Sequence, residues 1–131
     1  MFKQYKHVHF VGIGGIGMSA LAKWFLYEGV NVTGSDVHES EITKDLQRRG
    51  AKIFFGHAHD HVATDVDLLI YSPAVPDSNH ERQAAKERGI REVSNFEFLG
   101  EISHEFSTIV VSGTNGKSTT TAMLGLILEA A

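Results

Sequence analysis

Two glycine-bearing turns carry the residues best suited to chemistry. In "HFVGIGGIGMSALA", Gly12, Gly14 and Gly17 satisfy G-x-G-x-x-G directly after a run of strand-forming residues and at the opening of a helical pattern, with Gly15 between them. Glycine there permits a tight turn and lets a pyrophosphate reach the backbone N–H groups of a helix N-terminus with no Cβ in the way. Asp36, closing the next strand-forming run in "GSD", is placed to accept hydrogen bonds from ribose hydroxyls. The pattern reports a diphosphate beside a ribose and not the group at its far end, so NAD and a UDP-sugar both fit. The plainer alternative is that the glycines only let the helix pack closely on the strand.

The second turn lies in "VVSGTNGKSTTT", where Gly113, Gly116, Lys117 and Ser118 stand between a strand pattern and a helix pattern. That is the setting of a phosphate-gripping loop, with backbone N–H groups around the β- and γ-phosphates, a lysine charge, and the Ser118 hydroxyl within reach of Mg2+. Val111 occupies the place of the first glycine in G-x-x-x-x-G-K-[ST], so the loop is a shorter variant. A turn with Ser118 and Thr119 capping a helix is the alternative. A third cluster, "HAHDH", spaces His57, His59 and His61 alternately. It invites a metal reading, but no complementary acidic or histidine cluster is evident, and a solvated loop is the plainer expectation.

These turns need strands and helices to hold them. Runs rich in β-branched and aromatic residues predict strands at 7–11, 30–34, 52–55, 67–71, 91–93 and 107–112. Between them, "MSALAKWFLYEG", residues 40–49 and "NHERQAAKERG" carry helical spacing, each closed by a glycine, and "NFEFLGEI" predicts a short helix. The alternation predicts an α/β fold, a Rossmann-like parallel sheet with helices on both faces. The last unit, a strand, glycine loop and apolar helix, lacks neighbours to cover it. Residues 1–105 are therefore expected to form one domain and 106–131 to open a second, truncated one. Residues 107–131 are expected to dock on the first sheet, to be mobile, or to self-associate with another copy.

Composition removes other classes. At 131 residues, 42% hydrophobic and a formal charge of −4, the chain has core enough for a domain and no basic field for nucleic acid or anionic lipid. It has no cysteine, which excludes disulfides, zinc–thiolate sites and thiol nucleophiles. No apolar run is long enough for a membrane, and "MFKQYKHVHF" is too polar for a signal peptide, so a cytoplasmic location is expected.

Taken together, "HFVGIGGIGMSALA", "GSD", "GAKIFFGH", "YSPAVPDSN" and "GTNGKSTTT" occur in an order and spacing that resembles the Mur ligases of peptidoglycan synthesis across essentially all 131 residues. The first of these segments is most similar to the member that couples L-alanine to UDP-N-acetylmuramate, and the member that recycles the murein tripeptide is the alternative within the family. The resemblance implies a UDP-sugar domain followed by the start of an ATPase domain whose remainder, with the amino-acid site, lies beyond residue 131. ATP would phosphorylate the muramic acid carboxylate, and the amine would displace phosphate. By position, Gly12, Gly14, Gly15, Gly17, Met18 and Ser19 would face the UDP diphosphate, Asp36 the ribose or uracil, and His57, Ser72 and Ala74 the same ligand. Gly113, Thr114, Asn115, Gly116, Lys117, Ser118 and Thr119 would serve ATP, with Ser118 toward Mg2+. Asn115 and Ser118 replace the His and Thr common in the L-alanine-adding member, and "SNFEFLGEI" lacks the arginine usual at its place. The 131 residues alone are expected to be inactive and to bind the sugar nucleotide only weakly, because family sites are assembled by closure between domains and the remote contacts are missing. The rival outside the family is a non-catalytic NAD(H)-binding module of Rossmann type, and a self-contained P-loop NTPase is a weaker one.

Overall fold

The computed structural model describes residues 4–105. In chain order it contains β1 (His7–Val11), α1 (Ile16–Tyr27), β2 (Asn31–Asp36), α2 (Glu41–Arg48), β3 (Lys52–Phe55), a 3-10 turn (His59–His61), β4 (Leu68–Tyr71), α3 (His80–Glu87), β5 (Arg91–Ser94) and α4 (Asn95–Ser103). The five strands form one parallel sheet in the order β3-β2-β1-β4-β5. The strand predicted at 107–112, the phosphate loop at 113–119 and the helix after it lie outside the described residues, as does any docking or self-association through 107–131.

Successive residues of β1 face opposite sides, and both sides are covered. Val8 and Phe10 join Leu21 and Phe25 of α1 and Phe98 of α4 in one apolar cluster, while Val11 packs with Val62 and with Ala84 and Ala85 of α3 in the other. The larger cluster is built on rings. Phe10 meets Phe25 edge-on at 5.9 Å, and Phe25 meets Phe98 at 5.5 Å. Each such pair contributes about 0.5–1.5 kcal/mol beyond its buried area. Ser94 ends β5 and caps α4 at once. Its hydroxyl accepts the Glu97 N–H while the Glu97 carboxylate accepts the Ser94 N–H, so the chain turns from strand to helix without a loop.

One strand departs from the sequence expectation. β2 runs through Gly34 to Asp36, in register with Val11 of β1 at Ser35 and with Phe55 of β3 at Asp36. Gly34 does not interrupt the strand. It is where the first glycine loop leans on β2, and a Cβ there would stand 2.7 Å from Ile13 Cδ1 and 2.8 Å from the Phe10 carbonyl oxygen. No helix among the described residues is long and apolar enough to cross a membrane.

Candidate functional site

The sheet order reverses between β1 and β4, and a crevice opens there at the carboxyl ends of the strands, where open α/β sheets take ligands. The cleft measures about 430 Å³. Gly12 and Gly15 reach it from the turn after β1, Asp36 and Val37 from the end of β2, His57 from the turn after β3, and Ser72, Ala74 and Val75 from the turn after β4.

The glycine turn is fixed from below. The Ser35 carbonyl accepts the N–H groups of Gly12 at 2.8 Å and Ile13 at 3.0 Å. Asp36 Oδ2 accepts the Gly14 N–H at 2.7 Å, and Oδ1 accepts the Val37 N–H at the same distance. Asp36 thus anchors the loop that it faces, besides lining the cleft. Gly14 must be glycine for that contact, since a Cβ would lie 2.7 Å from Asp36 Oδ2. Gly15 caps α1 in an extended conformation and offers no side chain to its first turn. The opening N–H groups of that helix therefore have neither an intrahelical nor a capping acceptor.

The six residues Gly12, Gly15, Asp36, His57, Ser72 and Ala74 converge on the cleft. Gly14, Gly17, Met18 and Ser19 do not line it. Met18 sits in the core at 2% exposure, Ser19 is buried with its hydroxyl donating to the Ile16 carbonyl, and Gly17 packs against Asn95. The three histidines of "HAHDH" part company as well. His59 Nε2 pairs outward with Glu87 at 2.8 Å, whereas His57 and His61 turn inward toward Glu81. No group able to hold a metal is found among the described residues.

The fourth wall is held by Arg82. Its guanidinium lies 3.6 Å over the Tyr71 ring, binds Glu92 through two nitrogens at 3.1 and 3.0 Å, and donates to the Val75 carbonyl at 3.0 Å. The fork so clamps the turn bearing Ser72, Ala74 and Val75.

Sequence reasoning missed the polar group beneath the cleft. Glu81, in the first turn of α3, is fully buried, and its Oε1 lies 2.7 Å from His9 Nε2. Its Oε2 accepts from Ser35 Oγ at 2.7 Å and meets His57 Nδ1 at 2.6 Å. His9 Nδ1 contacts Thr33 Oγ1 at 2.8 Å, which in turn contacts His7 Nε2 at 3.0 Å. The legible signal was "HVHFV", which puts two histidines on one face of a strand buried throughout. Glu81 itself reads as an ordinary acidic residue behind the helix cap Asn79.

Burial pushes the His9 imidazole below its ordinary value, and the Glu81 contact offsets only part of that. Burial alone would raise the Glu81 carboxyl, but the hydrogen bonds of His9, Ser35 and His57 outweigh it and hold it below the usual carboxylate value. Both groups bind protons more weakly folded than unfolded, so both contribute stability that is complete above the unfolded pKa and is lost as pH falls through the folded one. A melting series should therefore start to decline below about pH 6.5, where His9 of the unfolded chain takes up a proton that the folded one refuses, and steepen below about pH 4.5, where Glu81 does the same. A melting temperature flat from about pH 7.5 to about pH 5 would contradict a neutral, buried His9.

Against known proteins, the model of the Mur ligase family, catalytic domain, matches residues 7–107. The UDP-N-acetylmuramate–L-alanine ligase of Agathobacter rectalis is 44% identical over 131 residues, covering 99% of this chain, and that of Clostridium kluyveri is 48% identical over 132 residues, covering 98%. The chain spans only 28% and 29% of the lengths of those two relatives. Among solved structures, the UDP-N-acetylmuramate–alanine ligase MurC of Thermotoga maritima superposes with a TM-score of 0.88 at 38% identity, over 94% of this chain and 29% of that one. A murein peptide ligase from Psychrobacter arcticus gives 0.86 at 32% identity, over 95% and 26%.

Proposed function

Because the chain belongs to the Mur ligase family, we propose that it is the UDP-N-acetylmuramate-binding part of an ATP-dependent UDP-N-acetylmuramate–L-alanine ligase of peptidoglycan synthesis, acting in the cytoplasm. The observation that carries this reading is the uncapped first turn of α1 opening on the cleft beside Gly12 and Gly15. Backbone N–H groups and the positive end of a helix dipole there suit a diphosphate. Asp36 keeps lone pairs free for a ribose hydroxyl while it holds the loop. His57, Ser72 and Ala74 complete the wall around the sugar nucleotide. Gly14 and Gly17 act by letting the loop and helix pack, and Met18 and Ser19 by supporting α1 from behind.

In the whole enzyme, residues 113–119 would hold the ATP phosphates, with Ser118 directed to Mg2+. The γ-phosphoryl group would pass to the muramic acid carboxylate, and the alanine amine would attack that carbonyl carbon, expelling phosphate and losing a proton as the amide forms. A chain spanning 28% of its relatives' length is not expected to turn over alone.

Parallel calorimetric titrations with UDP-N-acetylmuramate and NADH test the reading. Heat from the sugar nucleotide and none from NADH is the expected result, and the reverse would replace the ligase reading with that of an NAD(H)-binding module. The murein peptide ligase of Neisseria meningitidis is named for UDP-N-acetylmuramate and a tripeptide amine, so within the family the choice falls on the amine. Offered both, the full-length enzyme should consume L-alanine and leave the tripeptide.

A further inference from the structure

Among the described residues, His57 is the cleft residue whose side chain hydrogen-bonds the buried carboxylate, and the hydrogen bonds around that carboxylate leave its ring little freedom. Glu81 is met by His9 from β1, Ser35 from β2, His57 from the turn after β3, and His61 from the 3-10 turn, whose Nδ1 stands 3.8 Å from Oε1 with its ring stacked on Phe54 at 4.3 Å. Beyond these, His7 joins through Thr33 and faces Asp65 at 3.0 Å.

The protons can be placed one by one. Neutral His9 donates Nε2–H to Glu81, so its Nδ1 accepts the Thr33 hydroxyl proton, and the Thr33 oxygen accepts from His7 Nε2. Ser35 has one hydroxyl proton and gives it to Glu81 Oε2. The Ser35 oxygen, 3.0 Å from His57 Nδ1, can then only accept. His57 Nδ1 therefore faces two acceptors, the carboxylate at 2.6 Å and the hydroxyl oxygen, and must carry a hydrogen. Its Nε2 has no protein partner among the described residues. The ring enters the cleft from the β3 side, two strands from the β1 turn that opens α1.

We propose that Glu81 is a positioning residue for ligand recognition: by accepting the Nδ1–H of His57 it fixes the ring orientation and the tautomer of its neutral form, in which Nε2 meets the ligand as a hydrogen-bond acceptor. The group that the neutral ring recognises there is a donor on the nucleoside, a sugar hydroxyl or the base imide N–H. This rests on the cleft being the UDP-sugar site. It divides the site into a phosphate-gripping end at the α1 turn and a nucleoside-reading end at His57, which Glu81 holds without touching ligand.

The test uses the whole 131-residue chain, 15N-labelled in its imidazoles, with UDP as the probe. At alkaline pH, long-range 1H–15N spectra should show His57 as the Nδ1–H tautomer. In Glu81→Gln the new amide can donate to Nδ1, and the Nε2–H tautomer should appear. UDP affinity should fall about tenfold in Glu81→Gln and in His57→Ala, and adding Glu81→Gln to His57→Ala should cost nothing more. Of 2′,3′-dideoxy-UDP and N3-methyl-UDP, the wild type should bind one about tenfold more weakly than UDP, identifying the donor, and His57→Ala should lose that discrimination.

A wild-type His57 carrying its proton on Nε2, additive losses in the double variant, or equal binding of both analogues and UDP would each overturn the proposal. If Glu81→Gln does not fold, the wild-type spectrum and the analogue series decide by themselves. A wild type that binds neither UDP nor UDP-N-acetylmuramate overturns the site reading and the ligand role proposed here together. A misplaced His57 proton in a chain that does bind UDP overturns this inference alone.

Discussion

Replacing Glu81 by alanine should destabilise the chain by about 3–5 kcal/mol, because it leaves several donors that converge on one buried carboxylate without an acceptor. The Ser35 hydroxyl and the inward nitrogens of His9 and His57 all converge on that carboxylate, and His9 and Ser35 are fully buried. A methyl group offers them no acceptor, and each stranded donor costs about 1–3 kcal/mol of uncompensated desolvation. Folded domains are stable by about 5–15 kcal/mol, so the loss takes a large share of the total. Urea unfolding at neutral pH is the measurement, and the midpoint should drop with little change in slope. Glu81→Gln should cost less, since it keeps the side-chain volume and some of the hydrogen bonds. A Glu81→Ala loss below about 1 kcal/mol would mean that the network is not coupled to folding.

The largest effect on ligand binding is expected from Gly12→Ala. Gly12 holds φ at +86°, a region that side chains resist, and an added Cβ would lie 3.2 Å from Ser72 Cβ and 3.7 Å from Val75 Cγ2. Both neighbours line the cleft, so the methyl would wedge apart the turns after β1 and β4 that form two of its walls. The strain is of order 1–3 kcal/mol, and displacing the amide-bearing turn by even about 1 Å can cost on the order of a hundredfold where geometry governs. UDP-N-acetylmuramate affinity should fall by about that factor, with the fold checked by near-ultraviolet circular dichroism. Gly15→Ala is the control for stability. Its backbone is extended at φ −66° and ψ 153°, its nearest neighbour to an added Cβ is 3.6 Å away, and the loss of stability should stay within about 1 kcal/mol, the cost of Ala in place of Gly at a helix N-cap. Unchanged affinity in Gly12→Ala would remove the β1 turn from the binding site.

Strands and helices were largely legible because each follows from local patterning. "HVHFV" and "LLIY" are strand-forming runs, and Ser40 and Ser94 are helix caps written in the sequence. The strand expected at 30–34 runs on to Asp36, and the missing side chain of Gly34 is what the Ile13 side chain requires. The glycine fingerprint was legible as a motif but not in its division of labour. Successive helical residues point about 100° apart, so a run from Gly14 to Ser19 cannot all face one cleft, and the turn's own hydrogen bonds decide that Gly12 and Gly15 line it. Arg82, 10 positions from Glu92, could be suspected as an ion-pair partner; its hold on the Val75 carbonyl could not.

The sequence by itself determined the class of sheet, the place of the first glycine turn and the family, because these depend on steric rules acting over a few residues and on the order of short motifs. Only the tertiary structure decided which polar groups meet. Glu81 reaches His9 across 72 positions and His57 across 24, and a parallel sheet with its covering helices sets those encounters through strand order and register. The proton a histidine carries, and so what it can offer a ligand, follows from the acceptors placed around it in space.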